Sequence, residues 1–392
     1  MDVKQVATLM NGVTTEILGE GAVVNENLSN VVDIGKAIFD STSYDHFVKT
    51  LVDHIGRVMF VDRKYNGNTL SLYRDSWEYG AVMEKVYGLK LPDATESESF
   101  ELEDGTSYDP NIFTRPEVAA KFYNKRVTFE IPLSIADKQV KSAFSSATQL
   151  NSFVSMLWND VDKSMEVKQE SLASRTVNSF IASTIAAEFP SVNDNDYSAS
   201  TGVKAINLLL EYNTLFSGAT TTAAACLYNP EFIRYASFRI SQTLDRMTKL
   251  STLFNIGGIA RFTPKDKQHI IMLSDFKAAS EAYLQSDTFH NNLVALPMST
   301  SVPYWQGSGT GYALSSVANV HAEVENGAST KEINVGYVLA VAFDHDACGI
   351  TNLDRRVTSN YNAKAEFTNY WTKLEAGAFR DHNENFIVFF VA

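Results

Sequence analysis

The sequence predicts an α+β fold. Three observations predict it. Two strand-like arms flank an acidic tip over roughly 65–131, a stretch without Gly or Pro runs from 133 to 189 with helical spacing, and a mixed segment follows in which helix-like stretches alternate with short apolar runs. At 392 residues the chain is long enough for two or three domains.

Residues 1–60 are mixed and mildly apolar. Phe47, Leu51, His54 and Ile55 recur at the spacing of a short amphipathic helix. The pattern then changes. An Asn-Gly turn at 66–67 precedes β-branched and aromatic residues in "YNGNTLSLYRDSWEYGAVMEKVYG". The stretch 91–114, "LPDATESESFELEDGTSYDPNIFT", follows. It carries Asp93, Glu96, Glu98, Glu101, Glu103, Asp104 and Asp109 and no Lys or Arg. In "KFYNKRVTFEIPLS", Val127, Phe129 and Ile131 fall on one face of a strand. The geometric reading is one long β-hairpin over 65–131 with a solvated tip. Structureless stretches of this length inside compact domains are usually functional or linkers, and strands on both sides argue against a linker.

Ser134 is placed to cap a helix, with Asp137 in the capping-box position. Leu150, Phe153, Val154, Leu157, Trp158, Val161 and Met165 recur at three- and four-residue steps, and Leu172, Val177, Phe180, Ile181 and Ile185 continue them toward Pro190. A helical stretch of about fifty residues is roughly four times the usual length, and "SMEVKQES" is its expected bend. "SVNDNDYSASTG" is a turn-rich connector. "AINLLLEYNTLF", "NPEFIRYASFRISQTLDRMTKL" and "FKAASEAYLQSDTF" read as helices, the second with Asn229 as N-cap and Pro230 in the first turn. "HIIMLSDF" and "NVGYVLAVAF" read as buried strands. The C-terminal "FIVFFVA" is too apolar for a free tail and belongs in a sheet or an interface.

Composition narrows the function. Net charge is −13, which argues against a surface built for nucleic acid or anionic lipid. Cys226 and Cys348 match no metal spacing and imply a reducing compartment without a disulfide framework. "MDVKQVATLMNGV" lacks the basic and apolar regions of a signal peptide, and no apolar run approaches membrane-spanning length. The expectation is a soluble, non-secreted protein.

The search for catalysis finds little. "GSGTG" at 307–311 has no Walker lysine, and a surface turn is the better reading. There is no G-x-S-x-G elbow and no H-E-x-x-H pair. His345 lies between Asp344 and Asp346, but adjacent strand residues point to alternate faces, so a strand-end turn is preferred to a metal site. The acidic tip lacks the spacing of an EF-hand loop. The basic spots at 124–126 and 354–356 suit carboxylates on a neighbouring molecule. No catalytic, cofactor or metal residues are assigned, and the chain is not read as an enzyme.

The order of N-terminal arm, long β-hairpin, long helix, mixed α/β domain and return to sheet resembles the major capsid proteins of tailed bacteriophages, with the HK97-type fold. "WEYGAVMEKV", "EVAAKFYNKRVTFEIPLSIADKQVKSAFSSATQLNSFVSML", "VPYWQGSG", "TNLDRRVTSNYNAKAEFTNYWTK" and "NENFIVFF" carry the resemblance, which spans about 70–392. It implies an N-terminal arm and the start of a peripheral domain at 1–60, an extended loop (E-loop) at 61–132, a peripheral domain with a spine helix at 133–194, an axial domain at 195–345, and return strands at 346–392. It implies self-assembly into hexamers and pentamers that close an icosahedral shell around double-stranded DNA, held without sequence-specific binding. A separate scaffolding protein is expected because Met1 stands directly before the first fold-like residues, and a portal is implied as a further partner. No cofactor and no membrane are implied. The place of action is the virion capsid, with synthesis in the bacterial host cytoplasm. Each arm would lie over a neighbouring subunit. On that reading Glu101, Glu103, Asp104 and Tyr108 at the tip, and Lys125, Arg126, Arg355 and Arg356, are the expected intersubunit contacts. A non-basic inner surface would keep packaged DNA off the wall. Two rivals remain. One is an encapsulin-like compartment with the same fold. The other is a soluble hydrolase or carbohydrate-binding module using Tyr304 and Trp305.

Overall fold

The structure is a computed structural model. It describes Asn11 and residues 70–74, 83–136, 147–285, 299–305 and 318–392, apart from 90, 93, 95, 97–99, 101–102, 108, 125, 193, 217, 219 and 327–328. The expected helix around Phe47–Ile55, the 66–67 turn, Asp137 and the 307–311 glycines lie outside the described residues.

The sequence reading of one hairpin over 65–131 is corrected. Among the described residues, only β2 (Met83–Gly88) and β3 (Val118–Tyr123) form it, antiparallel, with Met83 opposite Tyr123 and Gly88 opposite Val118. β1 (Tyr73–Arg74) runs parallel to β11 (Cys348–Asn362). β4 (Arg126–Ala136) joins β12 (Phe367–Arg380), in a four-stranded sheet of order β1-β11-β12-β4. Ser134, expected to cap a helix, instead lies inside β4. Its hydroxyl donates to Asn369 Oδ1 at 2.5 Å. The reason is visible in β4 itself. Its residues alternate exposed and half-buried through Ile135, so the strand period continues past Pro132. Proline is tolerated there because β4 is an edge strand.

The long helix, α1, spans Ala147–Glu188 as one 42-residue element and passes unbroken through "SMEVKQES". The chain divides into two compact units, and one boundary falls between Met165 and Glu166, inside that segment. The first unit contains 130–165 and 356–372 besides 1–66, of which Asn11 is described. Within it Trp158 on α1 meets Tyr370 on β12 edge-on, ring centroids 5.4 Å apart.

The second unit contains 67–129, 166–355 and 373–392. Its centre is a five-stranded sheet of order β5-β13-β10-β6-β7, made of β5 (Ala205–Asn207), β6 (Gln268–Leu273), β7 (Ser299–Val302), β10 (Val338–Asp344) and β13 (Phe386–Phe390). β13 pairs with β10 on one side and β5 on the other, so the apolar C-terminus is an interior strand, as its composition required. The later part of α1 is buried nearly all round, from Leu172 to Ile185. Its buried hydroxyls satisfy themselves: Thr176, Ser183 and Thr184 donate to the carbonyls of Leu172, Ser179 and Phe180. Phe180 stacks on Phe386 at 4.0 Å.

Three shorter helices flank this sheet in sequence: α2 (Leu208–Leu215), α3 (Pro230–Met247) and α4 (Ser274–Gln285). "AIN", read as the start of a helix, is strand β5 instead. Asn207 ends that strand and caps α2, its Oδ1 accepting from Leu210 N at 3.1 Å. Asn229 caps α3 as expected, accepting from Glu231 N and Phe232 N. Arg239 on α3 forks onto Glu211 of α2 at 2.8 and 3.1 Å. A further hairpin, β8 (Val320–Asn326) with β9 (Ser329–Val335), buries Val320, Ile333 and Val335.

Candidate interaction surface on the arm

The β2–β3 hairpin has two chemically different faces. Period-two alternation puts Lys85 and Tyr87, with Ala119, Lys121 and Tyr123, on the half-buried face. Glu84 and Val86, with Val118, Ala120 and Phe122, point the other way.

The half-buried face is polar and anchored. Lys85 and Lys121 stand directly opposite each other in the hairpin register. Both reach Asp381, in the turn between β12 and β13, with Lys85 Nζ 2.9 Å from Oδ2 and Lys121 Nζ 3.2 Å from Oδ1. Lys85 also pairs with Glu384 Oε1 at 2.7 Å and donates to the Asp346 carbonyl at 3.3 Å. Arg261 reaches Glu384 at 3.4 Å and lies over the Tyr87 ring. Asn383 donates to the Tyr87 hydroxyl at 2.7 Å. Burial pushes the Asp381 carboxyl up, but the bond and charge of Lys85 outweigh it, and the group is held below its ordinary range. Burial pulls the Lys85 ammonium down, but Asp381 and Glu384 outweigh that and hold it above its ordinary value. Burial, then the Asp381 charge, pushes the Tyr123 phenol up. His382, beside Asp381, is held down by burial and then by Arg380 and Lys121.

Apart from Glu84, the outer face is apolar and bare. Val86, Val118 and Phe122 are 64%, 65% and 62% exposed, a fraction out of keeping with their type on a strand whose other face is anchored. The tip extends this chemistry. Phe100, Ile112 and Phe113 are exposed among the carboxylates. A turn from the Glu103 carbonyl to Thr106 N, with Gly105 at φ +86°, shapes the acidic end, and Asp109 Oδ1 accepts from Asn111 N.

Of the residues expected at contacts, Glu103 and Asp104 are exposed at the tip, and Arg355 and Arg356 are exposed on β11. Arg126 is exposed at the start of β4, 3.9 Å from Glu375 of its own chain. Glu101, Tyr108 and Lys125 lie outside the described residues. Sequence reasoning weighed the tip's charge and missed the apolar outer face and the charged root. The alternation of Val118, Ala120 and Phe122 against Ala119, Lys121 and Tyr123 carried both signals. Asp344, His345 and Asp346 form a turn after β10, in which Asp344 Oδ1 accepts from Asp346 N, in keeping with the turn reading. Trp305 is 2% exposed, with Nε1 donating to the Val338 carbonyl at 2.9 Å. It is core, so of the two rings named for sugar stacking Tyr304 alone, 54% exposed, lies at the surface.

A family model described as Phi29-like phage major capsid protein matches residues 10–390. The chain is 24% identical over 216 residues to the major capsid protein of Bacillus phage GA-1, covering 49% of this chain and 44% of that protein. It is 25% identical over 176 residues to the major capsid protein of Bacillus phage PZA, covering 44% and 37%. The matched part thus spans less than half the length of these relatives. In fold it is similar to a chain in the capsid structure of Staphylococcus phage Andhra, with TM-score 0.54 and 10% identity over 86% of this chain and 87% of that chain. It is also similar to a chain in the structure of head fiber and inner core protein gp22 of native bacteriophage P68, with TM-score 0.56 and 9% identity over 86% and 88%.

Proposed function

Because this chain belongs to the Phi29-like phage major capsid protein family, we propose that it closes a shell by laying the outer face of its arm on a second copy of itself. The carrying observation is that face: Val86, Val118 and Phe122, bare on a hairpin whose opposite face is fastened to its own subunit. A second copy supplies the cover that these side chains lack. On the same reading the arm is the extended loop, α1 is the spine helix of a peripheral domain, and the segment from 195 to 345 is the axial domain. Hexamers and pentamers then close around double-stranded DNA, with a scaffolding protein and a portal as partners and the virion capsid as the place of action.

The charge supports a specific mode of contact. Identical subunits of charge −13 repel one another at long range. Close contacts must therefore pair opposite signs or bury apolar area. The arm offers both, with Glu103, Asp104 and Asp109 at the tip and an apolar strip behind them. Exposed Arg355 and Arg356 are candidate receivers for the tip. The test is negative-stain imaging of the purified protein together with its sedimentation. Closed particles are expected. A monomer at all concentrations would count against the reading. Particles that retain a cargo protein and exclude DNA would favour the compartment alternative.

A further inference from the structure

The ion cluster at the arm's root has no counterpart in what assembly by itself requires, since its groups face inward onto their own subunit. We propose that Lys85, Lys121, Asp381, Glu384 and Arg261 form a latch that fixes the angle of the arm in the free subunit, before any second copy is met. The inference rests on the assembly reading above and concerns how its docking surface is oriented.

The register carries the argument. Lys85 and Lys121 are direct cross-strand partners. Like charges in that relation destabilise a hairpin. Here one carboxylate resolves the conflict, because Asp381 gives one oxygen to each lysine. Hairpin pairing and attachment to the β12–β13 turn are therefore one event. The turn is itself fixed. Asp381 N donates to the Ala347 carbonyl at 2.7 Å, Glu384 N donates to the Asp381 carbonyl at 3.2 Å, and Asn383 N donates to Asp381 Oδ1 at 3.2 Å.

Burial makes the latch stiff. The Asp381 side chain is fully buried and that of Glu384 is 11% exposed. Swinging the arm away would strand these carboxylates without their cations in a poorly solvated site, which is far more costly than parting an exposed ion pair. A second hold acts on the same strand, since Tyr87 is gripped by Asn383 and covered by Arg261. The arm root is thus held through both of its strands and from two segments of the core. An arm held in this way presents Val86, Val118 and Phe122 at one angle. Docking then does not have to order the arm, the usual gain from preorganisation.

The test measures the angle directly in the unassembled full chain. Spin labels at Val118→Cys on the arm and Phe238→Cys on α3, both exposed positions, report one distance by pulsed electron resonance, below the concentration at which particles form. A single narrow distribution is expected for the otherwise unchanged chain. Asp381→Asn with Glu384→Gln keeps the side-chain shapes and removes the charges, and loss of the narrow peak is expected. Because that variant leaves two lysines opposed and could disturb the hairpin, a second adds Lys85→Met and Lys121→Met. In this neutral version the hairpin amides stay protected from exchange, yet the distance remains broad. A narrow peak in either variant, or a broad one in the original chain, overturns the latch. None of these outcomes depends on whether shells form, so the latch and the assembly reading fail separately.

Discussion

Replacing Phe122 with Thr isolates the contribution of the arm's outer face. Thr keeps the β-branched preference for a strand, and the position is 62% exposed in the free subunit. Folding should therefore change by no more than about 0.5 kcal/mol, as at other surface sites. Assembly should change far more. A Phe buries about 200 Å² when covered. With 62% of it free, about 120 Å² is available to a neighbour, worth about 3 kcal/mol at 25 cal/mol per Å². Thr recovers about a third of that area, leaving a loss of about 2 kcal/mol per arm contact. Each subunit contributes one arm, so the concentration at which shells appear should rise about thirty-fold. Light scattering against subunit concentration measures the threshold, and thermal unfolding checks the fold. An unchanged threshold with an unchanged melting temperature would refute the reasoning, because the face would then have no partner to lose.

Other consequences follow from the same structure. Neutralising Glu101, Glu103 and Asp104 together should leave subunits folded and stop them closing a shell, read by circular dichroism and negative-stain imaging; normal particles would remove the tip's role in placement. Asn207→Ala deletes the cap of α2 and the donor to the Tyr197 carbonyl in a fully buried site, and should cost about 2–3 kcal/mol in denaturant unfolding. The root should also respond to pH. The Asp381 carboxyl is depressed below its ordinary 3.8, so its contribution is present above that value and is lost as pH falls through the lower folded value. The Lys85 ammonium is raised above 10.5, so its contribution is present below that value and is lost as pH rises through the higher folded one. Tyr87 and Tyr123 on the arm, His382 and Arg380 beside Asp381, and Arg261, Asp346 and Lys267 complete the charged and titratable surroundings. His382 is held below its ordinary 6.5, in part by Lys121 on the arm, so its contribution is present above that value and is lost as pH falls through it. Exchange protection of the arm should therefore be flat between about pH 7 and 10, decline below that, and fall further below about pH 4; unchanged protection below about pH 4 or above about pH 10 would contradict this assignment.

Much of the second unit was legible because its signals are local. The apolar runs inside "HIIMLSDF" and "NVGYVLAVAF", "IIML" and "VLAVAF", are of strand length and lie in β6 and β10, while Ser274–Phe276 begin α4. Asn229 before Pro230 marks a helix start, and α3 begins there. The C-terminal "FIVFF" could be stable only when covered, and it is the strand between β5 and β10. The errors arose where two periods compete. The hairpin reading stops at Ile131, before Pro132, yet Leu133 and Ile135 continue the alternation of Val127, Phe129 and Ile131. The absence of Gly and Pro after 133 was read as helix, although such an absence permits a strand equally well. The arm was legible as a hairpin but not in its pairing, because strand partners are non-local. Nothing near Arg126 announces β12, more than two hundred residues later. The root was missed for the same reason. Lys85, Lys121 and Asp381 are far apart in sequence, and only the register makes two opposed lysines demand an acid.

The measurement that bears most directly on the central claim is a cryo-electron microscopy reconstruction of particles formed by the purified chain. The account predicts closed shells in which Val86, Val118 and Phe122 of every arm are covered by a neighbouring copy. Shells in which that face lies open to solvent, with contacts made elsewhere, would contradict it.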